Sequence, residues 1–157
     1  MRVVVTDPYV DESRAKSLGV RLVYLDGLLG LADVISVHVP LTEETRGLIG
    51  EETIRRMRSG ALVINVSRGG VIDEGALAVA LVEGRLGGAA LDVFDREPLA
   101  LDSPLRAAPN LILTPHLGAA TREAQVESAR EVALAVRTAL ADGTFAGAVN
   151  ARGLGDR

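Results

Sequence analysis

A chain of 157 residues, 48% hydrophobic and 24% charged, is long enough for one well-buried core and lacks the polarity of a disordered segment. Its net charge of -4, with arginines scattered among acids such as Glu51, Glu52, Asp95 and Glu123, argues against nucleic acid as a partner. With 0 cysteines there is no disulfide framework and no thiolate metal site. The apolar run Val3 to Val5 is too short for a signal peptide and no stretch reaches membrane-spanning length, so the expectation is a cytoplasmic protein without a membrane partner.

In chain order, six short runs rich in Val, Ile, Leu and Ala read as strands: Val3 to Thr6, Arg21 to Leu25, Val34 to Val39, Leu62 to Val66, Ala89 to Val93 and Leu111 to Thr114. Most lack apolar and polar alternation, which predicts a sheet covered on both faces. Between them lie helical patterns. Asp11 caps a predicted helix that runs through Leu18 and stops at Gly19. Glu51 to Arg58 is a shorter one, amphipathic through Ile54 and Met57. Asp73 caps another, carrying Ala76, Leu77, Ala80 and Leu81 and stopping near Gly84. Thr121 to Asp142 places Val126, Ala129, Val132, Ala133, Val136 and Leu140 at helical spacing. Strands alternating with helices imply right-handed crossovers and an α/β fold with a doubly wound parallel sheet. Residues 1–150 read as one domain, and the glycines of Ala151 to Arg157 suggest a flexible tail.

Three reactive side chains follow three of these strands. Arg68 sits in Asn65-Val66-Ser67-Arg68-Gly69-Gly70, Glu97 in Asp92-Val93-Phe94-Asp95-Arg96-Glu97-Pro98, and His116 in Leu113-Thr114-Pro115-His116-Leu117-Gly118. Loops at the carboxyl ends of parallel strands are where open α/β sheets place their chemistry. An arginine, a carboxylate and a histidine converging there suit the reduction of an anionic carbonyl compound.

The run Ala32-Asp33-Val34-Ile35-Ser36-Val37-His38-Val39-Pro40-Leu41-Thr42, followed by Thr45-Arg46-Gly47-Leu48-Ile49, resembles the D-isomer-specific 2-hydroxyacid dehydrogenases, as do Asn65 to Asp73, Gly88 to Pro98 and Pro109 to His116. The ending Leu117-Gly118-Ala119-Ala120-Thr121-Arg122-Glu123-Ala124-Gln125 looks most like the phosphoglycerate dehydrogenase branch. The resemblance implies a Rossmann-like domain using NAD and a small anionic 2-hydroxy or 2-oxo acid. At the position of Arg68 it implies a guanidinium that binds the substrate carboxylate and polarises the 2-oxo group, a task suited to a permanently charged fork of donors. His116 would act as acid in reduction and base in oxidation, with Glu97 paired to it and fixing the ring. Asp7, beside Pro8, falls where the family places the acid that hydrogen-bonds the adenosine ribose, which favours NAD over NADP. His38 and Pro40 match a segment lining the cofactor groove, Asp92 the residue that receives the nicotinamide carboxamide, and Gly118 a backbone approach to the cofactor.

The family's Gly-x-Gly-x-x-Gly turn, which holds the pyrophosphate at a helix N-terminus, has no match in the sequence. It normally lies about 20 residues before the ribose acid, so at Asp7 it would fall upstream of Met1. The chain therefore reads as most of one cofactor domain begun one βα unit late, with the substrate domain not included. In the strand order 3-2-1-4-5-6 the unit left out supplies the central strand. Three outcomes are open: closure of the flanking strands to a flavodoxin-like 2-1-3-4-5 order, a gap filled by another chain, or a fragment that does not fold alone. A homodimer or a complementing chain is the expected assembly. The competing functional readings are a noncatalytic dinucleotide-binding module resembling the corepressors that share this fold, and an inactive fragment.

Overall fold

A computed structural model describes residues 1–145 and residue 148, and divides the chain into two units, Met1–His116 and Leu117–Arg157. The predicted tail Ala151 to Arg157 lies outside the described residues.

The first unit begins with β1 (Val4–Val5), α1 (Glu12–Ser17), β2 (Arg21–Leu22) and α2 (Leu25–Leu31). It continues with β3 (Val34–Val37), α3 (Glu51–Arg56), β4 (Leu62–Asn65), α4 (Glu74–Val82), β5 (Gly88–Leu91), a 3-10 turn (Pro104–Ala107) and β6 (Leu111–Leu113). All its strand pairs are parallel. The caps follow the sequence: Asp11 accepts the Arg14 N–H at 2.8 Å and Asp73 the Ala76 N–H at 3.0 Å, each satisfying a helix donor that has no intrahelical partner. Arg85 closes the other end of α3 by donating to the carbonyls of Arg55 and Met57.

The segment Arg21 to Leu25, expected as one strand, ends at Leu22, and Leu25 opens α2. Leu25, Leu28 and Leu29 recur at helical spacing, and Leu29 is fully buried in the main core.

The expected Rossmann-like parallel α/β arrangement is present, divided into a two-stranded sheet, β1-β2, and a four-stranded one, β3-β4-β5-β6. Closure to the 2-1-3-4-5 order does not occur, because no ladder joins β1 to β3. The physical reason lies in α2, which follows β2 after two residues and is held in the core by Leu29. Moving β1 against β3 would pull on that anchor. Losing a buried leucine costs about 2–5 kcal/mol, and the two residues of β1 would return only a few hydrogen bonds, each worth about 1 kcal/mol net.

Register divides the four-stranded sheet into two unlike faces. One carries the rows Ile35, Val63, Ala89, Leu111 and Val37, Asn65, Leu91, Leu113, packed with Ile54 of α3, Met57 just after it, Leu77 and Leu81 of α4, and Leu105. The other carries Val34, Leu62 and Gly88, then Ser36, Ile64, Ala90 and Ile112. Val34, Leu62 and Ile112 there are 47%, 42% and 65% exposed. The expectation of burial on both faces thus fails for this sheet. Aliphatic residues occupy both faces, so composition could not distinguish the covered side from the open one.

The second unit is built on α5 (Arg122–Asp142), close to its predicted span. Thr121 caps it by accepting the Ala124 N–H at 3.1 Å, and Gly143, at φ 64°, ends it in the left-handed region that glycine tolerates. No residue of α5 is buried, and Val126, Val132, Val136 and Leu140 stand exposed. Among the described residues no helix is long and apolar enough to cross a membrane.

Candidate active site

Parallel pairing makes β3, β4, β5 and β6 end at one edge. Their last paired row is Val37, Asn65, Leu91 and Leu113, and the backbone continues the register one step further, with Asp92 N–H donating to Asn65 C=O and Thr114 N–H to Leu91 C=O, both at 3.0 Å. The loops carrying Arg68, Glu97 and His116 all leave from this edge.

Glu97 and His116, 19 residues apart, meet here, with Nδ1 of the ring 2.7 Å from Oε2. A carboxylate only accepts, so Nδ1 carries the proton of this bond and Nε2 is left for other chemistry. The other carboxylate oxygen, Oε1, accepts the Phe94 N–H at 3.1 Å, which fixes the acid from its own loop. The hydrogen bond to His116, followed by that from Phe94, holds the Glu97 carboxyl below the ordinary glutamate range. His116 has φ 56°, a left-handed conformation uncommon for a residue with a β-carbon. Its N–H bonds to Thr114 C=O at 3.0 Å. Strain of this kind persists where the surroundings impose it, and it is frequent at functional sites.

Arg68 is exposed, with Nη1 donating to the neighbouring Ser67 C=O at 2.6 Å, and forms no ion pair among the described residues. Its loop is shaped by Asn65, only 1% exposed, whose Oδ1 accepts from both Ser67 N–H and Ser67 Oγ and whose Nδ2 donates to Arg68 C=O. Asp92, 5% exposed, accepts a hydrogen bond from Thr114 Oγ1 across β5 and β6. The sequence marked Asp92 but not Thr114 or Asn65. Both stand inside the family-like motifs, yet their partners depend on strand register.

The remaining predicted positions are more dispersed. Asp7 follows β1 in the smaller sheet, half-buried, and its Oδ1 accepts the Tyr9 N–H at 2.8 Å, with Pro8 exposed between them. His38 follows β3, exposed, with Nε2 2.9 Å from Ser36 Oγ. The Pro40 carbonyl accepts from Thr45 Oγ1 at 2.6 Å, which orders the turn after β3. Gly118 belongs to the second unit and is exposed.

These residues fit the two ends of a dinucleotide better than its middle. Carboxylates at the carboxyl ends of β1 and β5 offer acceptors to ribose hydroxyls and to an amide. No glycine-rich turn among the described residues supplies backbone donors to a pyrophosphate.

The family model for the D-isomer specific 2-hydroxyacid dehydrogenase NAD binding domain matches residues 1–118. The D-3-phosphoglycerate dehydrogenase of Synechocystis sp. is 49% identical over 154 residues, which cover 98% of this chain and 28% of that protein. The TT0316 protein of Thermus thermophilus superposes with a TM-score of 0.78 at 39% identity, over 89% of this chain and 43% of that one. A D-isomer specific 2-hydroxyacid dehydrogenase of Lactobacillus delbrueckii ssp. bulgaricus, in its NAD-complexed form, superposes with a TM-score of 0.74 at 28% identity, over 90% of this chain and 46% of that one. The chain therefore spans about a quarter to a half of the proteins it matches. On the strength of the family match over residues 1–118 and a Rossmann-like sheet that carries His116 and Glu97 at its carboxyl edge, the chain belongs to the D-isomer-specific 2-hydroxyacid dehydrogenases, as part of their NAD-binding domain.

Proposed function

We propose that residues 1–150 are the portion of an NAD-dependent D-2-hydroxyacid dehydrogenase that carries proton transfer and substrate-carboxylate binding, phosphoglycerate dehydrogenase-like in its choice of a small anionic 2-hydroxy or 2-oxo acid. The observation that carries this reading is the 2.7 Å pairing of His116 Nδ1 with Glu97 at the carboxyl edge of the sheet. When bound, the nicotinamide supplies or receives the hydride at the substrate's C2. In reduction, His116 Nε2 gives its proton to the oxygen of the 2-oxo group as that oxygen gains negative charge, and in oxidation it takes the hydroxyl proton back. Glu97 keeps the ring oriented through Nδ1. Arg68, with no carboxylate partner of its own among the described residues, holds the substrate's carboxylate and draws electron density from the adjacent carbonyl. Asp7 and Pro8 would take the adenosine ribose, His38 and Pro40 the groove wall, Asp92 the carboxamide, and Gly118 a backbone approach.

The proposed compartment is the cytoplasm, and the proposed assembly a homodimer or a pairing with a complementing chain. The open edge of β3 and the uncovered face beside it support that assembly. The test is a titration of the 157-residue chain with NADH, followed by cofactor fluorescence. Saturable binding that Asp7→Asn weakens and His116→Ala leaves largely intact is expected. A folded chain that shows no saturable binding overturns the proposal that the chain itself holds the cofactor.

A further inference from the structure

Two features connect the Arg68 loop to the loop bearing Glu97, the buried Asn65 and the half-buried Gly69, and neither touches the reacting groups. The first is the Asn65 carboxamide, which clamps the β4 loop from inside. Its oxygen takes Ser67 N–H at 3.0 Å and Ser67 Oγ at 2.8 Å, and its nitrogen gives a hydrogen bond to Arg68 C=O at 2.9 Å. The second is Gly69. A β-carbon there would lie 1.8 Å from Phe94 O, 2.1 Å from Phe94 C and 2.7 Å from Asp95 N. The Phe94–Asp95 peptide therefore rests directly on the Gly69 α-carbon. This is backbone against backbone, so no side-chain rotation can make room.

The same stretch of backbone anchors the acid. Phe94 N–H donates to Glu97 Oε1, while Asp95 N–H is held by Glu74 Oε1 at 2.7 Å. A mechanical chain runs from Asn65 through the Arg68 loop and Gly69 to the Phe94–Asp95 peptide, then to Glu97 and His116. We propose that Asn65 and Gly69 are positioning residues that set the separation of the carboxylate-binding arginine from the proton-transferring histidine. The inference rests on the functional reading above for the roles of Arg68 and His116. Misplacing reacting groups by about 1 Å can cost on the order of 10²-fold in rate, which is why such a spacer matters.

The test needs neither cofactor nor turnover, so its failure is separable from failure of the functional reading. The Glu97 carboxyl is followed by NMR against pH in the wild-type chain, in Gly69→Ala, and in Gly27→Ala as a control on a remote helix, where an added β-carbon meets only Val23 Cβ at 3.8 Å. In Gly69→Ala the Phe94 donor is displaced, so the Glu97 midpoint rises toward the ordinary glutamate value, while Gly27→Ala leaves it in place. If Gly69→Ala folds and Glu97 titrates as in the wild type, the proposal is overturned. If Gly69→Ala does not fold, Asn65→Ser decides: it loses the donor to Arg68 C=O without adding charge. Exchange of the Phe94 amide then speeds up on the order of tenfold, the equivalent of about one hydrogen bond. An unchanged Phe94 exchange rate in folded Asn65→Ser overturns the proposal.

Discussion

At the residue scale the consequential feature is that both oxygens of Glu97 are engaged, one by His116 Nδ1 and one by Phe94 N–H. Because these bonds lower the carboxyl's affinity for protons in the folded chain, the linkage has a definite sign. The stabilisation is fully present above the ordinary glutamate value of 4.5 and is lost as pH falls through the lowered folded value. Urea unfolding of wild type and Glu97→Gln across that window should show wild type ahead at neutral pH and the gap closing in acid. A gap independent of pH would mean that the charge on Glu97 is not what the fold uses. Arg68 should behave oppositely. Its side chain is exposed and, among the described residues, bonded only to the neighbouring backbone, so Arg68→Gln should leave the melting temperature nearly unchanged, within about 0.5 kcal/mol of stability. The same change should abolish any 2-oxo acid reduction measured by NADH consumption once the proposed enzyme is assembled. A lysine should restore little, because a point charge cannot present the guanidinium fork.

At the element scale α2 is the instructive case. Its apolar spacing was present in Leu25, Leu28 and Leu29, but Gly27 and Gly30 weakened the helical pattern and the preceding Leu22-Val23-Tyr24 extended the strand-like run. Gly27→Ala should therefore stabilise the chain by about 0.5–1 kcal/mol, since the backbone is already helical and the new methyl meets only an ordinary contact. Urea unfolding gives the sign directly, and a destabilised variant would mean that α2 needs the glycine. Leu77, fully buried on α4 beneath the four-stranded sheet, should cost about 2–5 kcal/mol as Leu77→Ala by the same measurement. The strands, the caps Asp11 and Asp73, and the loops bearing Arg68, Glu97 and His116 were legible because they depend on local order along the chain. The Thr114–Asp92 bond, the Asn65 clamp and the one-sided burial of the sheet were not, because each depends on which strand lies beside which.

At the scale of the whole molecule, aliphatic surface without cover is the dominant fact. In the first unit, Val34, Leu62 and Ile112 stand exposed on one face of the four-stranded sheet, and among the described residues no strand lies beside the outer edge of β3. In the second, α5 leaves Val126, Val132, Val136 and Leu140 exposed. Exposed apolar surface of this kind marks an interaction site, and an unpaired strand edge templates further pairing. The 157-residue chain should accordingly sediment with a mass that rises with concentration. Two charge substitutions separate the sources. Leu62→Lys with Ile112→Lys places charges on that sheet face, whereas Val132→Lys with Leu140→Lys alters only the helix. All four positions are exposed, so stability should change little in either double variant, within roughly 1 kcal/mol. If the sheet surface drives association, the first pair shifts the sedimentation boundary toward the monomer and the second does not. A monomer at every concentration, or a boundary moved only by the helix pair, would reject the sheet face and the β3 edge as the assembly surface. Within the functional reading the sheet result would have a direct consequence: the face left open beside the cofactor edge would be where a complementing segment or a second copy completes the domain.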